Sequence, residues 1–112
     1  MSLRIYYAPW FDADNQFRVA WYAEKGGVTF AERFVAAVEQ TIKQLAENPA
    51  RGRCRYPRDP DLAHIFGVRI VRPFQKHLLY YRFNEDTLFL ERLIHGARDL
   101  PRRLKESPYK ED

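Results

Sequence analysis

The sequence predicts an α+β domain in which two amphipathic helices cover one face of an antiparallel sheet. The predicted order is strand, helix, helix, three strands and a short helix. Residues 30–45 repeat apolar side chains at helical spacing, and residues 66–94 form three short strand-like blocks divided by turn residues. Gly26–Gly27 and Asn48–Pro49 punctuate the chain where the periodicity changes. A chain of 112 residues holds one core, so residues 1–112 read as one domain, with a charged tail at 107–112 expected to fray.

The first strand covers Leu3 to Tyr7, rich in Ile5, Tyr6 and Tyr7, and Pro9 is expected to end it. Asp12 or Asp14 is a candidate cap for a helix running to about Lys25, with Phe17, Ala20 and Trp21 on one face. Gly26–Gly27 stops that helix with a left-handed cap. In the second helix Thr29 and Glu32 have capping-box spacing, and Phe30, Phe34, Val38, Ile42 and Leu45 step down one face beside Val35. Asn48–Pro49 ends it, because the residue before proline is pushed out of the helical region. Residues 49–65 carry Arg51, Arg53, Arg55 and Arg58 among Gly52, Pro57 and Pro60, a basic loop with at most one short extended piece.

Three strands follow. Phe66–Val71 alternates, and His77–Phe83 sets Leu79, Tyr81 and Phe83 against Leu78, Tyr80 and Arg82. Asn84–Glu85–Asp86 turns the chain into Thr87–Ile94, whose nearly continuous apolar character suits a strand covered on both faces. Asp99 is a candidate cap for a final helix with Leu100 and Leu104 inward. The sheet face away from the helices is expected to be open and to carry part of the Arg and Tyr set.

The net charge of +4 favours anionic partners. A single cysteine, Cys54, excludes an internal disulfide and reads as a bystander thiol of a reducing compartment. The N-terminus lacks a signal-peptide pattern and no stretch approaches a membrane span, so the expectation is a soluble cytoplasmic protein. Cys54, His64, His77 and His95 have no metal-ligand spacing, and no glycine-rich phosphate loop or nucleophile elbow occurs. No metal or cofactor is expected.

Arg69, Arg82 and Arg92 fall one on each of the last three strands, with Tyr80 beside them. Paired strands can gather such residues into a platform for phosphates or carboxylates, or leave them as a solvated face. His95, before Gly96, reads either as a proton carrier or as a turn residue bonded to a carbonyl. Asp99 reads either as a cap for the final helix or as a partner for Arg98 or Arg102, a structural role in both cases.

The element order, LAENPARG (45–52), HLLYYRF (77–83) and above all LERLIHGARDLPRRL (90–104) resemble the ParE/RelE superfamily of toxins from bacterial type II toxin–antitoxin modules, closest to the ParE branch. The resemblance covers almost the whole chain and implies the RelE/ParE-like β-α-α-β-β-β fold. It also implies a growth-arresting toxin of a plasmid-stabilisation-type system. ParE-like members inhibit DNA gyrase by binding, without a known catalytic set. RelE-like members are metal-independent, ribosome-dependent messenger RNA endoribonucleases; under that alternative Arg69, Arg82, Arg92 and His95 are the candidate catalytic residues. HGARDLP followed by a basic helix favours the ParE branch. The implied partner is an antitoxin with a DNA-binding N-terminal region and an acidic C-terminal segment that folds onto the toxin. Arg69, Tyr80, Arg82, Arg92, His95, Arg98 and Arg102 are the expected partner or target contacts. No strong nucleic-acid binding by this chain alone and no membrane partner is expected.

Overall fold

The computed structural model describes residues 2–96 and 100–108. Strand β1 (Arg4–Tyr7) leads into helices α1 (Pro9–Gly26) and α2 (Val28–Glu47). A 3-10 turn at Pro49–Arg51 precedes β2 (Arg53–Cys54), β3 (Phe66–Arg69), β4 (His77–Phe83), β5 (Thr87–His95) and α3 (Leu100–Lys105). The sheet order is β1-β5-β4-β3-β2. All neighbours are antiparallel except β1, which runs parallel to β5; the α1–α2 excursion supplies the crossover that a parallel pair needs. Among the described residues no helix is long and apolar enough to cross a membrane.

Helix α1 begins earlier than expected. Pro9 opens it rather than merely ending β1, because its fixed φ suits the first helical position and its missing N–H is no loss there. Asp12 therefore sits in the first turn instead of capping. The earlier start selects a different inner face: Phe11 is 1% exposed, and Val19 and Tyr22 pack on the same core. Phe17 and Trp21, expected inside, face outward at 63% and 39% exposure.

The capping box is also corrected. Gly27, with φ 89 and ψ 164, closes α1 by donating its N–H to the Ala23 carbonyl at 3.1 Å and accepts the Ala31 N–H at 3.1 Å. That positive φ favours glycine. Since α2 already starts at Val28, Thr29 lies inside its first turn and makes no cap. The expected inner face is otherwise present: Phe34, Val38, Ile42 and Leu45 are buried and Phe30 is partly so.

These side chains pack on Leu79, Tyr81, Leu88, Leu90 and Leu93 to form the main core. The other sheet face is not open. Leu62 from the 56–65 loop and Leu104 from α3 cover Leu78, Tyr80 and Ile94. At the loop end, the Tyr81 hydroxyl donates to the Pro49 carbonyl at 2.6 Å and accepts the Gly52 N–H at 2.9 Å. A Cβ on Gly52 would meet that hydroxyl and lie 2.8 Å from the Gly67 carbonyl oxygen, which β3 pairing holds in place. Gly52→Ala is expected to destabilise the fold by about 1–3 kcal/mol, read as a lowered urea midpoint with unchanged slope.

Candidate functional site

Cross-strand partners share a sheet face. Arg69 pairs with Leu78, Tyr80 with Arg92, and Arg82 with Phe89, so the three arginines do fall on one face, with Tyr80. They do not form an open platform. The Nη1 of Arg69 donates to the Gln75 carbonyl at 2.9 Å. Between the Tyr80 and Tyr81 pairings β5 carries an extra residue, Glu91. Its carboxylate accepts from Arg82 Nε at 2.8 Å, while the Arg82 guanidinium lies 4.1 Å from the Phe89 ring centroid. Tyr80, expected as a partner or target contact, is fully buried beneath Leu62 and Leu104. Burial, with Tyr56 nearby, pushes its phenol up to about 12, so it stays neutral.

Arg92 is the junction of three elements, and it is buried. Its Nε and Nη2 donate to the two oxygens of Asp14 on α1, at 2.7 and 3.1 Å. Its Nη1 lies within 2.7–3.3 Å of the carbonyls of Arg103, Leu104 and Glu106 at the end of α3. A cation there satisfies orphan carbonyls and complements the helix dipole. Asp14 also accepts the Leu93 N–H at 2.9 Å. The β1 ladder stops at Tyr7–Leu90 and the chain turns away into α1, so Asp14 takes over an amide on the edge of β5 that β1 no longer reaches. The sequence reading missed this role for Asp14, weighing it only as a helix cap. The signal was its position between Phe11 and Arg18 on α1 once Pro9 is taken as the helix start.

His95 pairs with His77 and so faces the helical layer, opposite the arginine face. The two rings are 4.7 Å apart. His77 is 1% exposed and its Nε2 is 2.7 Å from the Tyr22 hydroxyl. Desolvation, helped by His95 and Arg18, lowers its imidazole to about 3. Burial, then Arg18, Lys76 and Arg103, also lowers His95. The four candidate ribonuclease residues are therefore not brought together: Arg69 and Arg82 lie across the sheet from His95, and Arg92 is held in an internal ion pair.

Arg98 and Asp99 lie outside the described residues. Arg102 is exposed and pairs with Glu106 at 2.8 Å. Cys54 donates to the Ala63 carbonyl at 3.0 Å. Among the described residues no group of three His, Cys, Asp or Glu is placed to hold a metal ion.

Two surface features remain for binding. One is a set of exposed aromatics on β1 and α1: Tyr6 beside Phe89 on the arginine face, Tyr7 beside Phe11 on the other, and Phe17 and Trp21 one turn apart on the outside of α1. Tyr6 borders a cleft of about 710 Å³ between the start of α1, the 61–65 loop and α3, lined in part by Trp10, Leu62, Arg82 and Lys105. The other is a cleft of about 620 Å³ on the far side of α3, bordered by Arg18, Arg92, His95, Arg102 and Arg103. Exposed aromatics beside clefts that carry charged side chains are equipped to grip a peptide or protein surface.

Comparison with known proteins agrees with this architecture. The family described as "ParE toxin of type II toxin-antitoxin system, parDE" matches residues 5–100, from β1 to the first residue of α3. No curated protein sequence matches the chain. A solved structure described as "Chromosomal ParDE TA system from P. aeruginosa" superposes with a TM-score of 0.68. That match covers 86% of this chain and 98% of the other at 14% sequence identity, a likeness of fold. With the family match spanning most of its length, the chain belongs to the ParE toxin family of type II toxin–antitoxin systems.

Proposed function

We propose that this ParE-family toxin arrests growth by binding and inhibiting DNA gyrase, without a catalytic step of its own, and that a cognate antitoxin neutralises it. The arrangement of the polar groups carries this reading. RNA cleavage by a metal-independent site needs a base for the 2′-hydroxyl, cations at the phosphate and an acid for the leaving oxygen, all around one atom. Here His95 and the Arg69 and Arg82 pair face opposite sides of the sheet, and the Arg92 donors are bonded to Asp14 and to α3. The exposed aromatics on β1 and α1 support action by association instead.

A supercoiling assay with the purified chain and gyrase tests the proposal. Supercoiling should fall with increasing toxin and recover when the antitoxin is added. Primer extension on messages after induction should show no new ends within codons. Unimpaired supercoiling at large toxin excess, or discrete codon-phased cleavages, would replace this reading with the ribonuclease one.

A further inference from the structure

We propose that the cleft between α1, the end of β5 and α3 is an anion site, built by Arg18 and Arg103, that takes a side-chain carboxylate from an acidic and partly apolar segment of the antitoxin. This rests on the antitoxin reading above and adds where and how the segment is held.

The argument starts from charge. Among the described residues two carboxylates border the cleft, Asp14 and Glu106. Asp14 accepts three hydrogen bonds from Arg92 and the Leu93 amide. Glu106 is paired with Arg102. Among the described residues no carboxylate forms an ion pair with Arg18 or Arg103, and Asp14 attracts Arg18 only at longer range, so these two guanidiniums are the least compensated charges among the described residues of the cleft. Arg103 Nη1 lies 3.8 Å from the point where a Cβ on Gly96 would stand, at the mouth of β5. Arg18 is pushed below its ordinary value by burial, with repulsion from Arg103 adding, and His95 is lowered by burial and then by Arg18, Lys76 and Arg103. An incoming carboxylate relieves that repulsion and accepts the N–H donors of both arginines.

The flank of the cleft names the rest of the ligand. The Arg18 guanidinium sits 5.1 Å from the Trp21 ring centroid and 5.5 Å from that of Phe17. Both rings are exposed, and Phe17 itself borders the cleft. An apolar side chain next to the bound carboxylate would therefore land on aromatic surface. A free phosphate would use the charge and leave the rings uncovered; an acidic-apolar peptide uses both.

The probe is a blocked peptide of alternating leucine and glutamate pairs, acetyl-LEELLEEL-amide, with its glutamine counterpart. Titration into the ¹⁵N-labelled chain should shift the Trp21 indole N–H and the Nε–H signals of Arg18 and Arg103. The glutamine peptide and the Arg18→Gln and Arg103→Gln variants should each bind at least about tenfold more weakly. Arg18→Lys and Arg103→Lys should retain most of the binding, and Arg53→Gln, on β2, all of it. Thermal melts check that every variant folds. Equal affinity for the two peptides, or full binding by Arg18→Gln with Arg103→Gln, overturns the proposal. So does displacement of the peptide signal by inorganic phosphate with no response at Trp21. A second arm separates the two readings. If the antitoxin relieves growth arrest equally for the wild type and the Arg18→Gln/Arg103→Gln variant, the cleft assignment fails and the antitoxin reading stands. If no antitoxin relieves the arrest while the peptide still binds by charge, the antitoxin reading fails and the anion site stands.

Discussion

Asp14→Ala is expected to destabilise the protein by about 3–5 kcal/mol, because it leaves the Arg92 guanidinium buried without its counter-charge. The side chains of Arg92 and Asp14 are 9% and 10% exposed, so water does little to screen either partner. The Leu93 amide would lose its acceptor in the same step. For a domain of this size the loss corresponds to a fall in melting temperature of roughly 10–20 °C. Removing both charges should be milder than removing one: Asp14→Leu with Arg92→Met should recover part of the loss, since no charge is then stranded. It should not recover all of it, because the α3 carbonyls of Arg103, Leu104 and Glu106 would lose their donor. Urea unfolding of Asp14→Leu, Arg92→Met and the double variant completes the cycle. Additive losses would mean that the pair is not coupled. Proteolysis near α3 should accelerate in the double variant even as its global stability is partly recovered, because α3 is the element that Arg92 ties down.

The Asp14 pair also marks the limit of what the sequence discloses. Local pattern was enough for α2, whose inner face holds Phe34, Val38, Ile42 and Leu45 as its periodicity implies. It was enough for β4 and β5, where alternation and the Asn84–Asp86 turn fix which side chains point together. Helix α1 was harder, because it carries two apolar stripes. Phe11, Val19 and Tyr22 form one and Phe17 and Trp21 the other; only the start at Pro9 and the contacts with β5 decide which goes inside. The site depends on long-range pairing. Register put Arg69, Arg82 and Arg92 on one face as hoped, yet what became of each was set by residues far away in sequence, Asp14 for Arg92 being 78 positions distant. Tyr80 was misjudged because the 56–65 loop and α3 look polar in sequence and still deliver Leu62 and Leu104 over the second face. Such coverage leaves no periodic signal.

The wild-type protein is expected to lose stability as pH falls from 7 to 5, before most carboxylates titrate. His77 sits under Tyr22, Phe34 and Phe74, with His95 beside it and Arg18 contributing repulsion. Its imidazole is lowered to about 3 from an ordinary value of 6.5. Between those values the unfolded chain binds a proton that the folded chain refuses, so stability rises with pH across this window and is complete above about 6.5. A single group of this kind removes about 2 kcal/mol between pH 7 and pH 5, with His95 adding in the same direction. The loss should reach its full extent only near pH 3, where Asp59, whose carboxyl is lowered by its Lys105 partner, begins to contribute as well. His77→Phe places a ring of similar volume among Phe34 and Phe74 and should flatten the pH 5–7 slope by more than half, leaving the His95 share. The hydroxyl of Tyr22 then has no ring nitrogen to bond, so the variant should be less stable at pH 7 even as it becomes less sensitive to acid. Urea midpoints of the two proteins at pH 7, 6 and 5 separate these effects, because the lost hydrogen bond is independent of pH and the proton uptake is not. A wild-type curve that is flat over this range would mean that His77 accepts its proton inside the fold, and that the aromatic layer above it opens to water.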